Sequence, residues 1–287
     1  MKIAITGSDG YIGTRLQREF RTNSSIELVL LSIITDSAPY IKVIFDHENL
    51  VKLFSGVDCV VHLAAKKVVK DYNDFVDNIN LTNIVIDAAI DAGVKKFILA
   101  SSISVYSDEK TIPWKENTAA ESDTLYGVSK LTCEQILKVK GTRAGMVYTS
   151  LRFGHVIGEE MPGSYMIPSF FRKAVAKETL TVIGKSIARR ELVDVVDICR
   201  AVHWASINHC TDNLVLNIGS GVAVTNLEIA NYMSQAFGDV KVNYDDSQNE
   251  GIKSSCMDIS RAKELGFTPL YTPEKSIERV AKYQKGE

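Results

Sequence analysis

The first twenty residues restrict the possible folds more than any other stretch of the sequence. A short run of β-branched and apolar residues, Lys2–Thr6, is followed at once by the spacing Gly7-x-x-Gly10-x-x-Gly13. Three apolar residues then recur four positions apart, the spacing of one helix face: Ile12, Leu16 and Phe20. A strand, a glycine loop and a helix in this order predict a unit that binds the pyrophosphate of a dinucleotide. An ordinary turn that contains glycines is the alternative.

Strands and helices alternate through most of the remaining chain. Apolar runs predict strands at 27–33, 42–45, 58–65, 96–101 and 146–153, with helices at 74–92 and 122–139 between them. Strands joined by crossover segments predict an α/β fold, a Rossmann-type doubly wound parallel sheet. The later pattern predicts a helix at 168–176, a strand and a helix over 191–208, a strand at 213–218, and helices at 226–237, 260–266 and 273–283.

The pattern loosens after residue 153, which indicates a second, smaller unit. We expect a dinucleotide-binding domain from 1–153 plus about 187–220, and a small C-terminal substrate-binding lobe from about 154–186 plus 221–287. Ligands of open parallel sheets bind beyond the carboxyl ends of the strands. The lobe is therefore expected to cover that edge.

Composition argues against several classes of function. The chain has 287 residues, 45% hydrophobic and 24% charged, and its net charge of -2 is spread over both signs, so neither nucleic acid nor an anionic membrane is an expected partner. The apolar runs are too short to span a bilayer, and the early strand leaves no room for a signal peptide. Five scattered cysteines without a C-x-x-C pair indicate reduced thiols in a cytoplasmic protein; no metal site is expected.

The residues leave the choice of dinucleotide open. An acid closing the second strand would bind the adenosine ribose, but Ser32 stands there and no acid follows until Asp36. Arg15 could meet a 2′-phosphate, with a solvated surface arginine as the alternative, so we lean slightly toward NADP. Asp46, at the end of the predicted third strand, could meet the adenine amino group, cap a helix, or do both.

Tyr-x-x-x-Lys is a weak signal by itself, and the sequence contains it three times: Tyr106/Lys110, Tyr126/Lys130 and Tyr271/Lys275. The first pair enters a loop, and the third precedes a proline far from any core strand. Only the second pair lies within a convincing helix. We predict the buried side of that helix from four apolar residues: Leu125, Val128, Leu131 and Ile136.

Tyr126 and Lys130 together have the chemistry of a base. Side chains four residues apart on a helix are neighbours, so the ammonium is expected beside the phenol. A free tyrosine has a pKa of about 10, and a nearby positive charge favours the phenolate. Ser102, at the carboxyl end of the strand at 96–101, can hydrogen-bond the reacting oxygen.

Several motifs together resemble the extended short-chain dehydrogenases/reductases. They are the glycine loop, Val61-His-Leu-Ala-Ala65, Ser101-Ser-Ile-Ser-Val-Tyr106 and Tyr126-Gly-Val-Ser-Lys130, and the resemblance continues through Leu151 to Gly158, Arg190 to Asp197 and Asp258 to Gly266. Within that family the chain is most similar to nucleotide-sugar 4-epimerases that act on UDP-hexoses and UDP-N-acetylhexosamines.

The resemblance implies Ser102, Tyr126 and Lys130 as the catalytic residues, with a hydride passing between sugar C4 and the nicotinamide. It implies NAD or NADP contacts from the glycine loop, the strand ends and the catalytic helix: Gly7, Gly10, Tyr11, Ile12, Gly13, Arg15, Ser32, Asp46, His47, Leu63, Ala64, Ala65, Asn78, Ser101, Tyr126, Lys130 and Phe153. It implies a substrate site of Ser102, Ser104, His155, Arg190 and Lys253, in which Arg190 holds the diphosphate. A homodimer through the helices at 74–92 and 122–140 is a further expectation.

Departures from the family pattern narrow the reaction. Dehydratases of the family carry an Asp-Glu pair where Ile103-Ser104 stands, and epimerase-reductases carry a Cys at the position of Ser104, so both reactions are disfavoured. An Asn common in the family is replaced by His155, for which a structural role is the alternative to substrate contact. A second diphosphate-binding Arg is absent near 249–251, and Lys253 is the nearest substitute.

Three hypotheses follow. The first is an NAD(P)-dependent 4-epimerase with a transient 4-keto intermediate, in which Tyr126 acts as base and then as acid. The second is an NADPH-dependent nucleotide-sugar 4-ketoreductase that uses the same residues. The third is a cofactor-binding sensor that performs no chemistry, which the retained Tyr126 and Lys130 disfavour.

Overall fold

A computed structural model describes residues 1–286 of the chain, and its strands follow the order of the prediction with additions after residue 153. They are β1 (Lys2–Thr6), β2 (Glu27–Ser32), β3 (Tyr40–Lys42), β4 (Cys59–His62), β5 (Lys96–Ser102), β6 (Val147–Phe153), β7 (His155–Ile157), β8 (Leu180–Ile183), β9 (Arg189–Asp194), β10 (Leu214–Ile218), β11 (Ala223–Thr225) and β12 (Val242–Asp245).

Helices connect these strands. They are α1 (Tyr11–Phe20), α2 (His47–Phe54), α3 (Tyr72–Asp91), α4 (Leu125–Ala144), α5 (Met166–Val175), α6 (Val195–Ile207), α7 (Asn226–Ala236), α8 (Ser260–Glu264) and α9 (Pro273–Lys285). Throughout residues 1–286, none of these helices has both the length and the apolar composition needed to cross a bilayer.

The centre of the fold is a seven-stranded parallel sheet in the order β10-β6-β5-β4-β1-β2-β3. Helices α1 and α6 pack on one face, where Leu16, Phe20 and Ile198 are fully buried. Helices α2, α3 and α4 cover the other face, with Phe54 and Leu137 among their buried residues. Helices on both faces explain why the central strands are almost entirely apolar. The predicted α/β class with a doubly wound parallel sheet is confirmed.

Two smaller sheets lie beyond the carboxyl edge of β6. Strands β11, β9 and β7 form one, and β12 pairs with β8 in the other. They share an apolar core with α5, α7 and α9. Strand β9 belongs to the smaller sheet, whereas β10 returns to the seven-stranded sheet and pairs with β6.

Two local predictions are wrong. The third strand is Tyr40–Lys42 rather than 42–45. Helix α2, which was not predicted, follows it. The Asp46 carboxylate caps that helix by accepting a hydrogen bond from the Asn49 amide. The predicted buried side of α4 is also wrong, since Leu125 and Val128 are exposed. The helix instead buries Leu137 together with small and polar residues: Gly127, Ser129, Lys130, Cys133, Glu134 and Gly141.

Candidate active site

The glycine loop lies against the chain segment that follows β4. Gly7 has φ +68°, and a Cβ at this position would lie 2.9 Å from the amide nitrogen of Ala64. A Cβ at Gly13 would lie 2.3 Å from the carbonyl oxygen of Gly7. Gly10 is the N-cap of α1, so the first amides of that helix point out of the loop. A backbone this close, with free amides at a helix N-terminus, fits a pyrophosphate.

The segment after β4 completes this cradle. The Leu63 amide donates to the Thr6 carbonyl at 3.2 Å, and the Ala64 amide donates to the Thr6 hydroxyl at 3.4 Å. Beyond Ala65, the buried Asn78 side chain holds the backbone of Lys66 through two hydrogen bonds, accepting at 2.8 Å and donating at 2.9 Å. Asn78 therefore positions the loop that closes the cofactor cradle, which is compatible with the supporting role the resemblance implies.

Residues early in α1 face the C-terminal part of the chain. The Tyr11 phenol is buried, and burial raises its pKa. The Arg15 guanidinium lies 4.2 Å from the centre of the Tyr11 ring and pairs with the carboxylates of Glu159 and Glu160 at 3.4 and 3.1 Å. Ile12 packs against the apolar core. The predicted contact of Arg15 with a 2′-phosphate stays a prediction, and it would require the guanidinium to leave the two carboxylates that hold it.

The residues expected around adenosine lie apart. The Ser32 hydroxyl at the end of β2 donates to the Asp9 carboxylate at 2.5 Å. Asp46 caps α2, as the structural alternative predicted, and it is exposed. His47 begins that helix, and its Nε2 lies 2.9 Å from the carboxylate of Asp91 at the end of α3.

Ser102, Tyr126 and Lys130 come together at the carboxyl edge of the seven-stranded sheet. Ser102 is the last residue of β5, and its hydroxyl lies 3.2 Å from the Ser104 hydroxyl. Lys130 is buried; its ammonium donates to the Ala100 carbonyl at 2.8 Å and lies 5.8 Å from the centre of the Tyr126 ring. The side chains of a strand and a helix thus place a hydroxyl, a phenol and a cation in one region.

The other two Tyr-Lys pairs do not share a helix. Tyr106 follows a short 3-10 turn, and Lys110 belongs to a separate turn. Tyr271 precedes α9, whereas Lys275 lies inside it. The structure therefore agrees with the choice of the pair in α4.

Helix α4 approaches β5 closely at its first turn. The Thr124 hydroxyl caps the helix by accepting from the Gly127 amide at 3.1 Å. A Cβ at Gly127 would lie 1.9 Å from the Ser104 carbonyl oxygen and 2.1 Å from the Ser122 hydroxyl. The glycine between Tyr126 and Lys130 allows α4 to approach the backbone that follows Ser102.

A buried polar network lies behind Ser102, Tyr126 and Lys130. Glu134, one turn after Lys130, accepts from the hydroxyl of Ser101 and pairs with the Arg152 guanidinium at 2.7 Å. Arg152 also donates to the Tyr106 phenol at 2.6 Å, and that phenol donates to Asn217 at 2.9 Å. The next residue of β6, Phe153, is buried beside Ser102 in the sheet register. The network fixes α4 against β5 and β6.

The candidate substrate side opens next to this edge as a cavity of about 160 Å³. It brings together Ser104, His155 and Lys253 of the predicted substrate residues, with Thr124 and Ser255 among its other walls. His155 lies within hydrogen-bond distance of the Ser255 hydroxyl at 3.1 Å. Burial lowers the pKa of His155 to about 4, and the charges of Arg190 and Lys67 add to the effect, so its imidazole is neutral at neutral pH.

Arg190 lies beside this cavity on β9, where its backbone bridges to Ser255. Within residues 1–286 its guanidinium makes no hydrogen bond or ion pair, and burial lowers its pKa. Lys253 forms an exposed ion pair of 2.6 Å with Asp123. The next residue of β9, Glu191, is fully buried and accepts from the amides of Gly221 and Met257, both at 2.7 Å.

Sequence reasoning missed four residues near this site. Lys67 follows the segment after β4, its ammonium lies 5.3 Å from the centre of the Tyr165 ring, and burial lowers its pKa. Glu134 and Gly127 belong to the Tyr-Lys helix, and Asp9 belongs to the glycine loop. The available signal was the presence of a charged residue or a glycine inside or next to a recognised motif. The sequence did not show which residue each of them contacts, because that partner is distant in the chain.

Comparison with known proteins agrees with this geometry. A family model described as the NAD dependent epimerase/dehydratase family matches residues 3–219. A UDP-N-acetylglucosamine 4-epimerase of known structure from Bacillus cereus superimposes with a TM-score of 0.93 at 34% sequence identity, with 100% of both chains covered. The UDP-glucose 4-epimerase of Lacticaseibacillus casei is 27% identical over an alignment 273 positions long, which covers 83% of this chain and 82% of the relative.

The same fold also serves other reactions. A dTDP-glucose 4,6-dehydratase from Streptomyces venezuelae has a TM-score of 0.85 at 22% identity, with 100% of this chain and 98% of that chain covered. The chain belongs to the NAD dependent epimerase/dehydratase family. The expected resemblance to extended short-chain dehydrogenases/reductases and the expectation of an NAD-dependent enzyme are thereby confirmed.

Proposed function

We propose that this protein inverts the configuration at C4 of a UDP-linked N-acetylhexosamine through a transient 4-keto sugar. The observation that carries the proposal is the grouping of Ser102, Tyr126 and Lys130 at the carboxyl edge of the sheet. Ile103 and Ser104 follow Ser102, so the acid and base needed to eliminate a C6 hydroxyl are not present there. The 34% identical UDP-N-acetylglucosamine 4-epimerase supports this sugar class.

In the proposed reaction Tyr126 moves the proton. Its phenolate accepts the proton of the C4 hydroxyl as the C4–H bond breaks, and the phenol returns that proton to the keto oxygen when the bond forms again on the opposite face. The Ser102 hydroxyl donates to the same oxygen, and the Lys130 ammonium stabilises the negative charge of the phenolate. The glycine loop from Gly7 to Gly13 would hold NAD, which would supply the hydride acceptor and donor for C4.

We assign the nucleotide diphosphate to Arg190. Its guanidinium is half-buried and has no partner within residues 1–286, which is the state expected of a cation kept for a ligand. Neutral His155 and the Ser104 hydroxyl would then hydrogen-bond the sugar in the adjoining cavity. Lys253 can reach the diphosphate only by leaving Asp123. In this proposal, 154–186 and 221–287 form the substrate side, as the expected domain division has it.

The choice of NAD rather than NADP is part of the proposal. The family supports NAD, and Arg15, the cation that favoured NADP, is held by Glu159 and Glu160. An epimerase retains its dinucleotide, because the reaction causes no net redox change. A 4-ketoreductase consumes NADPH in each turnover, so the two candidate functions differ in one measurable requirement.

The test is incubation of the purified protein with UDP-N-acetylglucosamine or UDP-glucose, without added cofactor, followed by proton NMR of the sugar nucleotide. The proposal predicts accumulation of the C4 epimer until both epimers are at equilibrium. Absence of the epimer, together with NADPH oxidation in the presence of a 4-keto sugar nucleotide, would identify the ketoreductase instead.

We also propose a homodimer through α3 and α4. Leu125, Val128 and Val139 on α4 and Tyr72 on α3 are exposed apolar side chains, and these two helices pack together on the same face of the sheet. An apolar surface formed by two neighbouring, parallel helices suits a two-fold contact. Sedimentation of the wild type as a dimer and of Val128→Glu as a monomer is expected; a monomeric wild type would contradict the proposal.

A further inference from the structure

Strand β2 ends without the acid that normally reads the adenosine ribose. In sheets of this kind, a carboxylate at that strand end accepts a hydrogen bond from the ribose 2′-hydroxyl. Here the residue is Ser32, and the next acid in the chain, Asp36, is exposed beyond it. A dinucleotide in the glycine loop would therefore find no carboxylate from β2 itself.

Asp9 brings a carboxylate to the same strand end from the other side. It is the residue before Gly10, the N-cap of α1, and one of its oxygens, Oδ2, lies 2.5 Å from the Ser32 hydroxyl. That hydroxyl also accepts from the amides of Ile34 and Thr35 at 3.0 and 3.1 Å. Ser32 is thus occupied in holding Asp9 and the following turn, and has no donor left for a ligand.

The second oxygen of Asp9 is available. Within residues 1–286, Oδ1 makes no hydrogen bond and no cation pairs with the carboxylate. A carboxylate has room for several hydrogen bonds, and here only one oxygen is used. The N-terminus of α1 adds a favourable field for a negative charge at this position.

We propose that Asp9 replaces the missing acid of β2: its free oxygen accepts a hydrogen bond from a hydroxyl of the adenosine ribose, and its charge excludes a 2′-phosphate. This inference rests on the proposed dinucleotide site in the glycine loop. It assigns the preference for NAD over NADP to a residue inside the phosphate-binding loop, which the spacing of the glycines alone does not reveal.

The cations of this region define the competing outcome. Arg15 is held by Glu159 and Glu160, as described above. Lys42 is the register partner of Ser32 on β3, and it is exposed. A 2′-phosphate would have to be held by Lys42 against the repulsion of Asp9. Lys42 is therefore expected to favour NADP binding, and Asp9 is expected to oppose it.

The experiment measures binding of NAD and NADP to the full chain by calorimetry, after any co-purified dinucleotide has been stripped from the protein and its absence has been checked by absorbance. The wild type is expected to bind NAD more tightly than NADP. Asp9→Asn, which keeps the shape and removes the charge, is expected to weaken NAD about tenfold and to reduce the preference for NAD by at least the same factor. Asp36→Asn is the matched control and should leave both affinities unchanged.

Two further variants keep the outcome interpretable. Asp9→Glu retains the charge and should retain the preference against NADP, which separates a charge effect from a folding defect monitored by circular dichroism. An unchanged ratio of the NAD and NADP affinities in Asp9→Asn would overturn the inference. It would also be overturned if the wild type preferred NADP and Lys42→Ala removed that preference. Binding is measured without sugar turnover, so failure of the epimerase proposal leaves this test valid.

Discussion

A Cβ at Gly127 would stand 1.9 Å from the carbonyl oxygen of Ser104. The first turn of α4 therefore touches the backbone that follows Ser102, and no side chain could fit between them. Tyr126 precedes this contact on α4 and Ser102 precedes it on β5, so we expect the contact to influence how their side chains lie relative to one another. Gly127 thus allows the close approach of the two segments that carry Tyr126 and Ser102, the proposed catalytic residues, without itself carrying chemistry.

We predict that Gly127→Ala lowers kcat by about tenfold to a hundredfold, because the methyl group pushes α4 away from β5. Dinucleotide affinity should change much less. Epimerisation of UDP-N-acetylglucosamine measures the first quantity, and calorimetry measures the second. Gly141→Ala is the control on the same helix, where the nearest atom to an added Cβ, the Met146 carbonyl oxygen, is 3.1 Å away. Equal kcat values for both variants would contradict the positioning role.

Replacement of Tyr126 by phenylalanine removes the group that transfers the proton. Tyr126→Phe should reduce kcat by about a hundredfold or more, because general acid–base catalysis contributes roughly that factor. The affinity for NAD should persist, since the glycine loop remains intact. Tyr271→Phe is a matched control from another Tyr-Lys pair and should keep full activity. Undiminished turnover in Tyr126→Phe would remove the basis of the proposed mechanism.

Two glycines with the same backbone conformation test the cradle. Gly7 has φ +68° and Gly145 has φ +69°, but an added Cβ meets the Ala64 amide nitrogen at 2.9 Å in the first and open space in the second. Asparagine tolerates this conformation. We therefore expect Gly145→Asn to cost no more than about 1 kcal/mol of stability. Gly7→Asn should unfold at clearly lower urea concentration and bind NAD weakly; similar urea midpoints in both variants would argue against the close contact.

Glu191 predicts a pH dependence of stability. Burial raises the pKa of its carboxyl to about 7, although two backbone amides partly oppose the shift. The folded chain therefore holds a proton that the unfolded chain releases near its ordinary pKa, so this group's contribution to stability falls as pH rises from about 4.5 to about 7. Urea unfolding measures both proteins across that window. The unfolding free energy of the wild type minus that of Glu191→Gln should decrease as the pH rises. A constant difference would contradict the shifted pKa.

Much of the fold could be predicted because its signals are local. The bounds of β1 and α1 follow from an apolar run, a glycine loop and a repeat of apolar residues, all within twenty positions. The error at β3 arose where the strand has only three residues, Tyr40–Lys42, and is largely exposed. Such a strand gains its stability from pairing with β2, which no local pattern records.

In the site, too, features with local signals could be predicted and features that depend on distant residues could not. The helical context was enough to select Tyr126 and Lys130 from three candidate pairs that share the same motif. The Arg15 guanidinium forms ion pairs with Glu159 and Glu160, which are more than a hundred residues away in the chain. The sequence therefore could not show that Arg15 has these partners. The buried side of α4 was mispredicted for a related reason. The helix packs polar residues such as Glu134 against Arg152, and a pattern of apolar residues cannot detect an ion pair.

The return of β10 to the main sheet has a consequence for synthesis. β6 pairs with β10 along its outer edge, and β10 begins only at Leu214. The ribosome therefore adds more than sixty residues after Phe153 before β10 is complete. Until then, the nascent chain carries β6 as an apolar parallel strand whose outer edge is unpaired. Exposed edges of this kind promote pairing between chains. Slow translation between β6 and β10 should thus increase aggregation of newly made chains, whereas pauses after Ile218 should not.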